Sequence, residues 1–157
     1  MELKDLKKNY EELVKRHKIP SFKELNEEFE IDRIERESDC PLRSVRKAMM
    51  DKIVKYIQFV EMLLNPAQAP PMFMMFVKNV NEKDKKSLEK IYENFIKLEL
   101  SSLRLEIDYN EKNEALLVKK ISETWGRSKL ELRLVIEMME RNWNKSSPGR
   151  ADRGYLG

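Results

Sequence analysis

The stretch that decides the fold is PLRSVRKAMMDKIVKYIQFVEMLL, residues 41–64. Its apolar side chains recur at spacings of three and four, which is the period of an α-helix. The main stripe consists of Leu42, Val45, Met49, Ile53, Tyr56, Val60 and Leu63, and four neighbours widen it: Met50, Val54, Ile57 and Leu64. A face this wide is typical of a helix that other helices cover on most sides. We therefore expect the rest of the chain to pack around residues 41–64.

Both ends of this central helix are marked in the sequence. Pro41 suits the first turn of a helix, because the N–H that proline lacks has no partner there. Asn65 and Pro66 end the helix, since proline disfavours a helical conformation in the residue before it. A loop bounded by prolines follows over residues 67–71.

A first helix is predicted near the start of the chain. Five apolar side chains recur there at helical spacing: Leu3, Leu6, Tyr10, Leu13 and Val14. Basic residues occupy positions 15–18, at the negative end of the helix dipole, and Pro20 closes the segment. His17 belongs to this basic end, where a cation eases the dipole.

A short second helix is predicted directly after Pro20. Ser21 and Glu24 have the spacing of a capping box, in which each side chain binds the backbone amide of the other. The apolar side of this helix holds Phe22, Leu25 and Phe29. Residues 31–39 are acidic and less regular, so they are interpreted as a frayed extension or a linker.

The second half of the chain predicts further helices. Residues 72–77 form one or two helical turns, and Asn81 caps a long helix that extends through Tyr109. A fifth helix carries Leu117, Val118, Ile121 and Trp125 and stops at Gly126. Ser128 and Glu131 repeat the capping-box pattern and open a last helix, which ends near Asn144.

Residues 103–118 leave one alternative open. Leu103, Leu105, Ile107 and Tyr109 alternate with polar residues as in a strand, and residues 110–113 could form a hairpin turn. The helical interpretation is preferred, because an isolated two-stranded hairpin is marginal in water and no third strand is visible.

Composition agrees with a helical protein. The 157 residues are 41% hydrophobic and 38% charged, and three of the four glycines fall at Gly149, Gly154 and Gly157. So little glycine argues against a turn-rich β architecture. We expect an all-α fold, a compact bundle of about six amphipathic helices in a single domain over residues 1–144. Residues 145–157 have no apolar period and are predicted to form a flexible basic tail.

The chain is expected to be a soluble cytoplasmic protein with no membrane contact. Cys40 is the lone cysteine, and a reducing compartment suits a chain without an internal disulfide. The start of the chain is amphipathic and charged, unlike a signal peptide. The longest uncharged run, residues 62–77, is interrupted by prolines and too short to span a bilayer.

No set of residues predicts catalysis, a metal site or a cofactor. His17 is the only histidine, and one histidine makes a poor zinc site. Cys40 stands at a helix start, but a nucleophilic thiol needs a base that the sequence does not place beside it. The acidic pairs at residues 11–12 and 27–28 are interpreted as solvated helix faces. The prediction is therefore a non-catalytic protein without cofactor or metal.

The apolar run over residues 72–77 is the first candidate interaction surface. Six consecutive apolar residues cannot all face inward on a helix, although most of the run is expected to enter the core. Methionine suits an adaptable protein-binding surface. The predicted partner-binding residues are Met72, Phe73, Met75 and Phe76. The function predicted from them is a protein-interaction or assembly module, with self-association as a homodimer or with another protein partner.

The basic start of the central helix is the second candidate surface. Arg43, Arg46 and Lys47 lie at the helix end where cations are mildly unfavourable. One explanation is an anionic ligand such as a phosphate backbone. The preferred explanation is that acidic side chains just upstream supply counter-charges: Glu28, Glu30, Asp32, Glu35, Glu37 and Asp39. The alternative function is accessory RNA or DNA binding, with further contacts from Arg127, Lys129, Arg141, Lys145, Arg150 and Arg153.

Overall fold

The computed structural model describes residues 2–34, 40–77 and 80–155. Side chains at positions 68, 76 and 146–155 fall outside this description. Three of the predicted counter-charges lie outside the described residues: Glu35, Glu37 and Asp39. The same holds for the side chains of three predicted binding residues: Phe76, Arg150 and Arg153.

The described parts of the chain contain six helices and no strand, which confirms the predicted all-α fold. The helices are α1 (Leu3–His17), α2 (Phe22–Phe29), α3 (Pro41–Leu64), α4 (Pro71–Val77), α5 (Glu82–Ile107) and α6 (Glu111–Tyr155). Two short 3-10 turns, Ile31–Arg33 and Pro66–Gln68, follow α2 and α3.

Helix α3 is the central element, as its wide apolar face predicts. It packs against both α5 and α6, and these two helices also pack on each other. Helices α1 and α2 contact α3 as well. Four side chains along its stripe have no exposed surface at all: Val45, Met49, Ile53 and Val60. The bundle therefore has a three-helix centre, and the shorter helices cover its edges.

The predicted capping box of α2 is confirmed. Glu24 N donates to Ser21 Oγ over 3.2 Å, and Ser21 N donates to Glu24 Oε2 over 2.8 Å. A third acceptor comes from α1, because Glu11 Oε1 accepts from Phe22 N over 3.1 Å. Glu11 was expected to be a solvated side chain, and it instead joins α1 to the start of α2.

The helical interpretation of residues 103–118 is confirmed, with a short connection at 108–110. Helix α5 ends at Ile107, two residues before the predicted end at Tyr109. Asn110 Oδ1 then accepts from Asn113 N over 2.9 Å and opens α6, which begins earlier than Leu117. The strand-like alternation is misleading because Leu105 is buried whereas Ile107 is 82% exposed.

The predicted helix stop at Gly126 is wrong, since α6 passes through this residue without a break. Ile121, Trp125, Ser128 and Leu132 are all buried, so the helical period continues on both sides of the glycine. Gly126 itself lies on the exposed side of α6 and has no positive φ. A single glycine lowers helix stability by only about 1 kcal/mol, which the packing of a continuous apolar face overcomes.

Two other predicted boundaries of α6 also differ from the structure. Ser128 does not cap a new helix, because its hydroxyl donates to the carbonyl of Thr124 over 2.8 Å within α6. The backbone remains helical past Asn144 as far as Tyr155. The division into a domain over 1–144 and a flexible tail over 145–157 stays a prediction.

Replacement of Gly126 by alanine is expected to raise the free energy of unfolding by about 0.5–1 kcal/mol. Apart from its chain neighbours and the backbone of its own helix, a methyl group at this position would meet no atom within 4 Å, and alanine restricts the unfolded chain more than glycine does. Urea unfolding followed by circular dichroism measures the change. Gly126→Pro is the contrasting variant and should lower stability by about 3 kcal/mol. A helix break at 126 would instead leave Gly126→Ala destabilised.

Candidate functional site

A buried ionic cluster occupies the basic start of α3. Arg46 is only 1% exposed, and Glu114 on α6 is fully buried beside it. Arg46 Nε donates to Glu114 Oε2 over 2.7 Å and Nη2 donates to Glu114 Oε1 over 3.2 Å, so the pair is bidentate. Arg46 Nη1 also donates to Ser102 Oγ on α5 over 2.6 Å. This group, with Arg43, Lys47 and Glu106, is named the Arg46 cluster.

Further contacts surround this central pair. Glu106 Oε1 lies 3.0 Å from Arg46 Nη2, and Glu106 Oε2 lies 3.3 Å from Lys47 Nζ. Arg43 Nη2 donates to the carbonyl of Leu105 over 3.1 Å, and its guanidinium lies 5.2 Å from the Tyr109 ring centre. The Arg46 cluster thus connects α3 to both α5 and α6.

The carboxylates keep Arg46 charged despite its burial. Burial is the largest single influence and acts to lower the pKa of Arg46. Hydrogen bonds and charges from Glu114 and Glu106 outweigh it, so the pKa is raised above its usual value. Burial likewise acts to raise the pKa of Glu106, but Arg46 and Lys47 hold that pKa below its usual value.

The described counter-charges of the Arg46 cluster come from distant parts of the chain. Glu106 and Glu114 supply them from α5 and α6. Among the predicted counter-charges that the structure describes, Glu28 pairs with Lys129 of α6 instead. For this carboxylate the prediction is wrong, because helix packing brings α6 rather than the start of α3 to it. For Glu35, Glu37 and Asp39 it stays a prediction.

The predicted nucleic-acid-binding residues are only partly brought together. The structure places three of them in the Arg46 cluster, where they contact acceptors or carboxylates of the protein: Arg43, Arg46 and Lys47. The Arg46 guanidinium is buried and bound by Glu114, Glu106 and Ser102, so it is not open to a phosphate group. Lys129 binds Glu28. Three predicted cations are exposed along α6: Arg127, Arg141 and Lys145.

The two side chains considered for catalysis, His17 and Cys40, contact neighbouring positions of the chain, Glu111 and Tyr109. His17 Nε2 lies 2.8 Å from Glu111 Oε1, and Arg16 Nη1 donates to the same oxygen over 3.0 Å. These contacts, His17 first, hold the pKa of Glu111 below its usual value. Burial, and then the neighbouring Cys40 thiol, raise the pKa of Tyr109. His17 therefore fastens the end of α1 to the start of α6.

The described residues contain no group of three or more histidine, cysteine, aspartate or glutamate side chains placed to hold a metal ion. The charged groups that the structure brings together are of opposite sign, as in the Arg46 cluster and in the pair of Lys129 with Glu28. Their geometry is that of structural contacts between helices.

Trp125 of α6 is the side chain on which several helices meet. Its ring centre lies 5.0 Å from that of Tyr56, 6.3 Å from that of Phe29 and 6.5 Å from that of Phe95. Lys52 Nζ lies 4.5 Å from the same ring centre, within the range of a cation–π interaction. Burial lowers the pKa of Lys52. These contacts join α2, α3 and α5 to α6.

Glu28 fixes the orientation of this aromatic group. Its carboxylate accepts from Trp125 Nε1 over 2.9 Å and from Lys129 Nζ over 2.7 Å, and its carbonyl accepts from Lys52 Nζ. Lys129 first, and then Trp125, hold the pKa of Glu28 below its usual value. The Glu28 side chain is 39% exposed, so it is partly solvated as expected, but its contacts with Trp125 and Lys129 were not predicted.

The first apolar surface lies between α4 and α6. A groove of about 470 Å³, named the α4–α6 groove, is lined by Phe59, Phe73, Ile136, Met139, Glu140, Trp143 and Asn144. Five of these seven side chains are apolar. Helix α4 contacts α6 at this edge of the bundle.

Helix α4 exposes methionines on both sides of Phe73, the α4 residue that lines this groove. Met72 is 57% exposed, Met74 39% and Met75 38%, whereas Val77 is buried and Phe73 packs partly on the core. The run over 72–77 is thus divided between the core and the surface. Met74 was not among the predicted binding residues, although its exposure exceeds that of Phe73. Met74 lies on the outer face because of the way α4 packs against the bundle. The spacing of apolar residues in so short a helix does not predict that orientation.

A second groove, between α5 and α6, is lined by both leucines and polar side chains, and it was missed by sequence reasoning. A groove of about 440 Å³, named the α5–α6 groove, is lined by Leu100, Ser101, Arg104, Leu105, Asn113, Leu116, Leu117 and Lys120. Leu100 and Leu116 are more than half exposed. A signal was available, because residues 100, 103 and 107 form a second helical stripe opposite the buried stripe through Leu98 and Leu105.

Comparison with protein-family models, with curated proteins and with solved structures finds no match to this chain. Within the described ranges, no helix has the length and apolar character needed to cross a membrane.

Proposed function

We propose that the chain is a non-catalytic protein-interaction or assembly module that self-associates through the α4–α6 groove and the adjacent methionines of α4. One observation supports this most directly: Met72 and Met74 expose large apolar side chains beside a groove that is itself mostly apolar. Contiguous exposed apolar surface is a common mark of an interaction site. Methionine adapts well to the shape of an apposed surface.

A second copy of the chain suits this surface because the surface carries almost no charge. In a two-fold symmetric contact each patch faces a second copy of itself, so a patch with charges of one sign meets charges of the same sign. Residues 62–77 contain no charged side chain, and among the side chains that the structure describes Glu140 is the only charged one that lines the α4–α6 groove. Like-charge repulsion across such a contact is therefore small.

The buried clusters elsewhere support an interaction role rather than a chemical one. Arg46 and Glu114 satisfy each other, and Glu28 is occupied by Trp125 and Lys129. Side chains that are engaged in this way stabilise the bundle and leave the apolar surfaces as the parts open to a partner.

The double variant Met72→Glu with Met74→Glu is expected to convert a self-associating chain into a monomer. The new carboxylates would face their own copies across the contact and would have to be buried without partners. Size-exclusion chromatography with light scattering, over a range of concentrations, measures the molar mass. Both methionines are exposed, so the variant should remain folded, and circular dichroism checks this.

Leu130→Glu is the matched control, because Leu130 is 58% exposed on α6 and does not line the α4–α6 groove. It should leave the molar mass unchanged. A wild-type chain that is monomeric at every concentration, or a double variant that associates as strongly as the wild type, would refute the proposal.

A further inference from the structure

Helix α5 exposes an apolar stripe on the side away from the bundle core. Leu100 is 61% exposed, Leu103 50% and Ile107 82%. Their spacing places them along one face of the helix over about 10 Å. Leu116 of α6, 56% exposed, lies across the α5–α6 groove from Leu100. The apolar surface is thus elongated, and it extends from the groove along α5.

Two basic side chains that form no ion pair with described residues lie beside this stripe. Arg104 and Lys120 are exposed and line the α5–α6 groove, and no acidic side chain is among the groove's lining residues. Neither cation forms an ion pair with any described residue. This is unlike Arg46, Lys47 and Lys129, whose charges are met by carboxylates of the protein. A negative partner can therefore bind here without first displacing an existing contact.

We propose that the α5–α6 groove binds an acidic amphipathic helix of another protein. Apolar side chains of that helix would cover Leu100 and Leu116, and its flanking carboxylates would pair with Arg104 and Lys120. An amphipathic helix that lays its apolar face over apolar side chains of a groove is a common mode of peptide recognition. The elongated stripe matches about two turns of such a helix, whereas a compact small molecule would leave Leu103 and Ile107 uncovered.

Charge distinguishes this surface from the α4–α6 groove. Two copies related by a two-fold axis through the α5–α6 groove would bring Arg104 and Lys120 close to their own copies. Juxtaposition of like charges costs several kcal/mol at an interface. The uncharged methionine surface favours a second copy of the chain, and the basic groove favours an acidic partner. The two proposals concern different residues and can fail separately.

Two fluorescein-labelled synthetic peptides test the proposal. Both carry leucines at positions i, i+3, i+4 and i+7 of a helix; one has glutamates at the flanking positions and its twin has lysines. Fluorescence anisotropy should show saturable binding of the glutamate peptide and at least roughly tenfold weaker binding of the lysine twin. The affinity for the glutamate peptide should fall as salt is added, because the exposed charges are screened.

Two variants locate the site. Arg104→Glu with Lys120→Glu should reverse the preference, so that the lysine twin binds more tightly than the glutamate peptide. Leu116→Asp should abolish binding of both peptides. The matched control is Lys4→Glu with Lys15→Glu, which makes the same change in net charge at exposed positions of α1 and should leave binding unchanged. Circular dichroism and thermal unfolding establish that every variant is folded.

Three results would overturn the proposal. The first is no saturable binding of the glutamate peptide. The second is equal loss of binding in the groove variant and in the α1 control, which would show that net charge alone attracts the peptide. The third is a change in the chain's molar mass in Leu116→Asp, which would assign the groove to a second copy.

Discussion

Replacement of Glu114 by alanine is expected to lower the free energy of unfolding by about 3–5 kcal/mol, as for other buried ion pairs that lose one partner. Arg46 would keep its full charge in a site that is 1% exposed, with the bidentate acceptor gone. Urea unfolding followed by circular dichroism measures the loss.

Glu106→Ala is the matched control for this prediction. Glu106 binds the same guanidinium, but its side chain is 37% exposed, so water can replace it. Its removal should lower stability by only about 0–1 kcal/mol. Equal effects at the two positions would contradict the burial argument. The double variant Arg46→Met with Glu114→Leu should recover most of the stability lost in Glu114→Ala, because neither buried charge remains.

Trp125→Ala is expected to lower the free energy of unfolding by about 3–5 kcal/mol, the usual cost of deleting a large buried aromatic side chain. The indole contacts the rings of Tyr56, Phe29 and Phe95, so its loss leaves a cavity where four helices meet. Circular dichroism is the suitable measurement, because removing one of two tryptophans alters the fluorescence signal itself.

Trp125→Phe separates packing from hydrogen bonding at the same position. The smaller ring retains most of the apolar contact but cannot donate to Glu28. Glu28 would still accept from Lys129, so a stability loss of about 1–2 kcal/mol is expected. A loss in Trp125→Ala no greater than that in Trp125→Phe would contradict the central packing role of the indole.

The regular part of the fold could be read from the sequence. The stripe along 41–64 predicted a central helix, and Ser21 with Glu24 predicted the start of α2. Both follow from local rules, since a helix face and its cap involve residues only a few positions apart. Asn81 also caps α5 as predicted, with Asp84 N donating to its side chain over 2.8 Å.

Local sequence signals gave the wrong helix boundary where tertiary packing favours one continuous helix over two shorter ones. Gly126 and the Ser128–Glu131 spacing both predicted a boundary, and each would be a reasonable one in an isolated peptide. The apolar face from Ile121 to Leu132 instead packs as one continuous stripe, and its burial outweighs the modest preference of glycine for a helix end.

The candidate surfaces were accessible from the sequence to different degrees. The apolar run over 72–77 was found because its lack of charge is a property of contiguous residues. The α5–α6 groove was missed because it combines a stripe on α5 with Leu116 and Lys120 of α6. Helix α5 has two apolar stripes, and either could face the bundle as far as the sequence shows. Leu100 and Ile107 are exposed because the other stripe packs against the core.

The central stripe of residues 41–64 by itself determined that this protein is a helical bundle built around α3, because helical period and apolar width are properties of neighbouring residues. Only the tertiary structure determined which carboxylates the basic side chains at the start of that helix contact. Arg46 meets Glu114 across 68 positions of the chain, and no local rule links residues so far apart. Such pairs form only when the apolar faces of α3, α5 and α6 bring them together and exclude water from the space between them.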